Sequence, residues 1–367
     1  MRRLGPALLT ALLLTLYLAL ALAQNQGDLG EMARLGLRRM AGDQQALEGY
    51  DGQYVYVLAL NPDPAWAAAQ PPWIIDTPAY RYQRLLLSLA ARALSLGQPA
   101  LLPWALIVLN LLAQAAGAFL VGELLASYGV SRWYALVYGL WVGFIYAVRL
   151  AMTEPLAYAL AAGALLASRR GRERWAAGLY ALALFAKETT LLFLAAHLAW
   201  LASNARWREA LWLSAVAVIP FALFQLVILA YFGRFGLGSG GFHASGFEWL
   251  PYMGLWRIGA YGWAALALYG TLFLPLVVLP SLWGIAAAGL RLARRDWALP
   301  VWVLGANAAL FPFAPFSTYS EPLGLVRLMC GLVPAVLLFG AHTGWRRALN
   351  YSVFWLAALA MLANETR

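Results

Sequence analysis

Long apolar runs separated by short polar connections constrain this chain more than any other feature. After an N-terminal run, apolar stretches lie near 100–126, 133–150, 152–168, 175–187, 189–203, 209–232, 262–290, 297–316, 323–341 and 350–364. About 20 apolar residues cross a bilayer as a helix, and a helix satisfies its own backbone in lipid. Hydrophobic residues make up 63% of the chain and charged residues 11%, where a soluble domain carries about 25% charged residues. The expectation is an all-α polytopic membrane protein of about eleven transmembrane helices. With no internal repeat or low-complexity segment, it reads as one domain over residues 1–367. The runs 152–168, 175–187 and 189–203 are short for a full crossing, and short hydrophobic segments often line a cavity inside the membrane.

The net charge of +10 does not indicate nucleic acid, because the arginines fall in short clusters between apolar runs, as membrane topology requires. Arg2 and Arg3; Arg132; Arg169, Arg170, Arg172 and Arg174; Arg206 and Arg208; Arg291, Arg294 and Arg295; and Arg346 and Arg347 occupy alternate connections and mark the cytoplasmic side. The intervening connections carry Thr153-Glu154-Pro155, Lys187-Glu188-Thr189, a Gly-rich loop at 233–257 and Ser320-Glu321-Pro322 with Arg327. These face outward, so nearly every ionisable residue that topology does not explain lies on the exterior face. Met1 to Gln24 has the charge and small-residue ending of a signal peptide. Its apolar run is longer than the usual signal core of about 7–15 residues, so a retained first span is favoured.

A long polar loop, 24–99, follows and faces the exterior. Leu29 to Met40 reads as an amphipathic helix lying on the membrane, with Arg34, Arg38 and Arg39 available to lipid phosphates. Asn61-Pro62-Asp63-Pro64 is a turn, and a segment after Arg84 is an apolar helix lying on or re-entering the membrane. Asp51, set between aromatics in Gly49-Tyr50-Asp51-Gly52-Gln53-Tyr54-Val55-Tyr56, is the leading candidate for a general base at the membrane surface. The competing reading is a turn aspartate bonded to its own backbone. That reading is stronger for Asp63 and Asp76, which adjoin prolines or a turn, although either could orient an acceptor.

Ionisable residues at membrane depth are costly and usually functional. Arg81 and Arg84, three apart, would share a helix face and clamp a phosphate, or else snorkel to headgroups. Tyr80 and Tyr82 could stack on a sugar or mark the interface. Glu154 could cap its helix. Lys187, the single lysine, and Glu188 either neutralise each other or hold a phosphate. Arg327 either pairs with Glu321 or makes another phosphate contact. His197, His243 and His342 are too scattered for a metal site of ordinary spacing. The Gly236–Gly246 stretch lacks a P-loop lysine and reads as a mobile cover. Cys330 is the single cysteine and a packing residue.

Tyr50-Asp51-Gly52-Gln53-Tyr54-Val55-Tyr56-Val57-Leu58-Ala59 is similar to the aromatic-flanked Asp-Gly motif of PIG-V-like mannosyltransferases and related bacterial proteins. Asp76 with Tyr80-Arg81-Tyr82-Gln83-Arg84 looks like a second motif of the bacterial branch, and Thr153-Glu154-Pro155 and Lys187-Glu188 resemble its helix-end motifs. The architecture as a whole resembles the GT-C superfamily of integral-membrane glycosyltransferases. The resemblance implies a GT-C-like bundle whose long first exterior loop carries amphipathic helices. It implies a multi-pass protein of the cell (inner or plasma) membrane with its site facing the exterior or periplasm. The implied reaction moves a sugar, mannose at the level of the family, from a polyprenyl-phosphate carrier to a glycan, lipid or protein acceptor, with inversion. It makes Asp51 the base and Arg81, Arg84, Lys187 and Arg327 candidates for the carrier phosphate, with no metal or other cofactor. Asp51 has no adjacent acidic partner, where many members carry an acidic pair. A transporter or lipid-linked-sugar flippase, and a noncatalytic subunit of an envelope glycan assembly complex, are the alternatives.

Overall fold

The computed structural model describes residues 3–43, 45, 46, 48–241 and 244–364. His243 and Arg2 therefore lie outside the described residues. The chain is all-helical, with 75% of residues in helices and no strand among the described residues. Five helices are long and apolar enough to cross a membrane: Gly5–Gln24, Leu102–Ser127, Trp207–Phe232, Trp263–Ala293 and Pro322–Thr343. Two of these runs contain π-helical turns, Ser214–Val218 just ahead of Pro220 and Leu274–Val278 around Pro275. A proline lacks the N–H that would close the ordinary turn, and a wider turn absorbs the mismatch.

Between the long helices lie shorter ones that end inside the protein. The run 133–150 is broken at Leu140-Trp141 into Ala135–Gly139 and Val142–Arg149. A second break follows, where Ala151 takes a left-handed φ of 54° before Glu154–Arg169 begins. Broken helices strand carbonyls that lipid cannot satisfy. Two buried amides on Leu102–Ser127 meet that need: Gln114 Nε2 donates to the Tyr138 and Gly139 carbonyls, and Asn110 Nδ2 donates to the Met152 carbonyl. The 3.6-residue period puts these two amides, four residues apart, on one face of the helix.

The segment Leu29 to Met40 is not one amphipathic helix. It forms two short turns of helix, Leu29–Met32 and Leu37–Met40, separated where Arg34 and Gly36 take positive φ. Met32 and Leu35 are buried against the bundle, so the apolar stripe serves packing as well as any surface. Leu85–Leu94 is helical as expected, and Arg92 reaches from it to cap the Ala59 and Leu60 carbonyls ending Gly52–Leu60.

Charge is gathered at two ends of the bundle. At one end Arg132 and Arg170 pair with Glu123, Arg206 with Glu173, and His342 with Asp296. His197, fully buried, bonds Ser168, Tyr180 and Glu173 at that same end. The other end holds Asp51, Asp76, Arg81, Arg84, Glu154, Lys187, Glu188 and Arg327. Glu154–Arg169 joins the two, and its 16 residues at 1.5 Å each measure about 24 Å.

Candidate functional site

The site is assembled at the helix breaks. Gly52 opens the helix Gly52–Leu60 directly against the end of Val142–Arg149, where a Cβ on Gly52 would stand 1.9 Å from the Leu150 carbonyl oxygen. Only glycine permits that approach, which explains why Asp51 is followed by glycine. Gly52→Ala is expected to destabilise the protein by about 1–3 kcal/mol through overpacking. It should also displace Asp51; a melting temperature equal to wild type in detergent would contradict this account.

Asp51 does not bond its own helix, so the turn reading does not hold for it. Its Oδ1 accepts from Arg81 Nη1 at 2.7 Å and its Oδ2 from Arg327 Nη1 at 2.6 Å. Asp63 behaves as the turn reading expects, accepting from the Ala65 N–H. Asp76 does both: Oδ1 accepts from the Thr77 N–H, while Oδ1 and Oδ2 accept from Arg81 Nε and Nη2, each at 2.8 Å. Arg81 lies 3.9 Å over the Tyr54 ring, which fixes the plane of its fork.

Arg327 links Asp51 to the interior. Its Nε donates to Glu154 Oε1 at 2.7 Å, and Lys187 Nζ donates to the same oxygen at 3.1 Å. Glu154 is fully buried, and its Oε2 has no hydrogen-bond partner. Arg84 donates from Nε to Glu188 Oε2 at 2.7 Å, and its Nη2 bonds Glu188 Oε1 and the Tyr80 hydroxyl. Tyr50 donates to Glu321 and accepts from Arg327 Nη1 at 3.2 Å.

All nine residues singled out in the sequence therefore meet in one region, but their pairing differs from the simplest sequence readings. Lys187 and Glu188 do not neutralise each other; Lys187 goes to Glu154 and Glu188 to Arg84. Arg327 does not pair with Glu321; it bridges Glu154 and Asp51, and Tyr50 takes Glu321. Arg81 and Arg84 do not form one clamp, because Arg84 lies beyond the end of Pro78–Tyr82 and turns to a different carboxylate. Glu154 is held by side-chain cations from two other segments as well as standing at a helix start. Tyr50, Tyr54 and Glu321 complete the site, and the sequence signal for the two tyrosines is their place in the aromatic motif around Asp51.

The electrostatics are balanced. Four cations, Arg81, Arg84, Lys187 and Arg327, face four carboxylates, Asp51, Asp76, Glu154 and Glu188. Asp51 is the most open of the eight, with 28% of its side chain exposed, while the others are between 0% and 13%. Burial disfavours its charge, but Arg327, Arg81 and Arg84 outweigh burial and hold its carboxyl well below the usual range. Its pairs contribute stability above the ordinary carboxylate value and release it only as pH falls through that lower value. A cavity of about 20 Å³ lies against Asp51, Tyr54, Arg81, Arg84 and Arg327. The Gly-rich loop lies over one side, with Gly241 so close that a Cβ there would stand 3.1 Å from Arg81 Nη2. Among the described residues no group of three or more His, Cys, Asp or Glu converges as metal ligands would.

Chemically, this arrangement offers one accessible carboxylate between two guanidinium forks, with further cations behind. It can take a proton from a hydroxyl and hold an anion beside the same point. Comparison with protein families, curated proteins and solved structures gives no match.

Proposed function

We propose that this chain is a membrane glycosyltransferase of the GT-C kind that moves a sugar from a polyprenyl-phosphate carrier to an acceptor hydroxyl at the exterior face of the cell membrane. The observation that carries this reading is Asp51, the most open of the four ion-paired carboxylates, held between Arg81 and Arg327. In this reading the carrier tail lies in the bilayer and its sugar phosphate meets the cluster at the interface. Asp51 takes the acceptor proton, the acceptor oxygen attacks the anomeric carbon, and guanidinium groups receive the departing phosphate. A single displacement inverts the anomeric centre. The chain crosses the membrane about eleven times, with its short helices completing the count.

Membrane vesicles containing the protein and a labelled polyprenyl-phosphate sugar test this directly. Label should move to an extractable acceptor. Sugar that crosses the bilayer unchanged would indicate a transporter, and label that stays on the carrier with every sugar offered would remove the enzyme reading.

Sidedness has its own test. Cys330 is fully buried, so single cysteines can be added at the exposed positions Asp63 and Arg172. In right-side-out vesicles an impermeant maleimide should label Asp63→Cys, and Arg172→Cys only after permeabilisation. Labelling of both from one side would rule out the proposed orientation.

A further inference from the structure

Asp51 is linked to its two arginines through one nitrogen of each. Arg81 uses Nε and Nη2 to hold Asp76 and turns only Nη1 to Asp51. Arg327 uses Nε to hold Glu154 and likewise turns Nη1 to Asp51, with Tyr50 beside it. Both guanidiniums are thus anchored on one edge by a different carboxylate. If the charge on Asp51 were lost, both would keep their positions, Arg81 presenting an unpaired Nη1 and Arg327 an Nη1 bonded only to Tyr50 to the same small cavity.

We propose that Asp51 is the counter-ion that occupies Arg81 and Arg327 until it accepts the acceptor's proton, so that protonating the base and releasing the phosphate clamp are a single event. This rests on the transferase reading of the same site and specifies its preferred ligand, a phosphomonoester dianion. The charges balance. The acceptor oxygen bonds the anomeric carbon, and the bond from that carbon to the carrier's phosphate oxygen breaks with its electron pair on the oxygen. The hydroxyl proton goes to Asp51. A phosphodiester monoanion and a carboxylate become a phosphomonoester dianion and a neutral acid. The ion-paired set is neutral at four against four before reaction, with Glu321 outside it on the Tyr50 hydroxyl. It becomes a net cation only as the second phosphate charge forms, which stabilises the late state more than the bound substrate.

The same coupling removes a difficulty with Asp51 as a base. Held by both arginines its carboxyl is strongly acidic. A phosphate that draws an Nη1 away raises its basicity. Linkage is reciprocal, so loss of the Asp51 charge must tighten phosphate binding by the same factor. Each pKa unit of that coupling corresponds to roughly tenfold in affinity. Arg84 adds a third positive charge near Asp51, while Asp76, Glu154 and Glu188 hold the cations in place from the far side.

The test measures binding of farnesyl phosphate, and of its methyl diester, to the full chain in nanodiscs at about pH 8, where the monoester is a dianion. Asp51→Asn should bind the monoester roughly tenfold or more tightly than wild type, with a smaller gain for the diester. A monodisperse Asp51→Asn protein with equal or weaker monoester affinity would overturn the proposal, because a merely structural aspartate gives no gain. If the variant is unstable alone, the dianion should replace the missing charge and recover it in a thermal-stability assay of detergent extracts. Failure of farnesyl phosphate to recover either Asp51→Asn or Asp51→Ser would also overturn it. Sugar transfer by wild type without the affinity gain leaves the enzyme reading and removes the coupling. The gain without transfer from any carrier leaves the coupling and removes the enzyme reading.

Discussion

Asp51→Asn is expected to lower sugar transfer by roughly 10²–10⁴-fold, the usual contribution of a positioned general base. The substitution keeps the size of the side chain and a hydrogen-bond acceptor for one guanidinium, but the amide cannot take the acceptor proton. The loss should therefore fall mainly on kcat, since removal of a group that acts in the transition state lowers the rate rather than ground-state binding. Asp76→Asn supplies the comparison. Asp76 is bonded to the Thr77 N–H and the Nε–Nη2 edge of Arg81 rather than facing the cavity as openly as Asp51. Its loss should loosen Arg81 and cost less activity. Initial rates with the labelled carrier in vesicles decide the order; an Asp51→Asn protein within a few-fold of wild type would exclude Asp51 as the base.

Arg327→Met is expected to cost about 3–5 kcal/mol of stability, the range for removing one partner from a buried ion pair. Arg327 touches both Asp51 and Glu154 with only 10% of its side chain exposed, and Glu154 is fully enclosed. Without the arginine, Glu154 would keep Lys187 alone, with an Oε2 that already has no partner. Arg327→Lys should not restore the loss, because an ammonium cannot reproduce a planar fork that spans two carboxylates. Arg257→Met is the control: Arg257 also pairs with a glutamate, Glu248, but is 49% exposed. An exposed pair contributes roughly 0–1 kcal/mol. Thermal unfolding in a single detergent compares the three variants. Equal shifts for Arg327→Met and Arg257→Met would show that the bridge to Glu154 does not hold the bundle together.

The two effects share a cause. In a low-dielectric interior an unpaired charge is costly, so the cluster assembles with every cation matched. That matching also leaves Asp51 poised, because its partners are held elsewhere by Asp76 and Glu154. Stability and chemistry therefore draw on the same contacts, and the most destabilising substitutions should coincide with the most inactivating ones. Gly241 beside Arg81 adds a covering loop whose lack of a side chain leaves that arginine room.

The apolar runs alone determined the helical, membrane-spanning class, because backbone groups in lipid leave few other choices. The alternation of arginine-rich connections set many charges aside, and the neighbours, spacing and family resemblance of those left singled out Asp51, Asp76, Arg81, Arg84, Glu154, Lys187, Glu188 and Arg327. Their pairing was a tertiary matter. A sequence indicates neighbours three or four residues apart on a helix, whereas Arg327 meets Asp51 and Glu154 across 276 and 173 residues. Those meetings depend on where helices stop: on the left-handed Ala151, on the break at Leu140-Trp141 satisfied by Gln114, and on the closeness that Gly52 permits at the Leu150 carbonyl. Each is a local exception to helical regularity. Hydropathy averages over such exceptions, and only the packed fold decides which charges they bring within reach of one another.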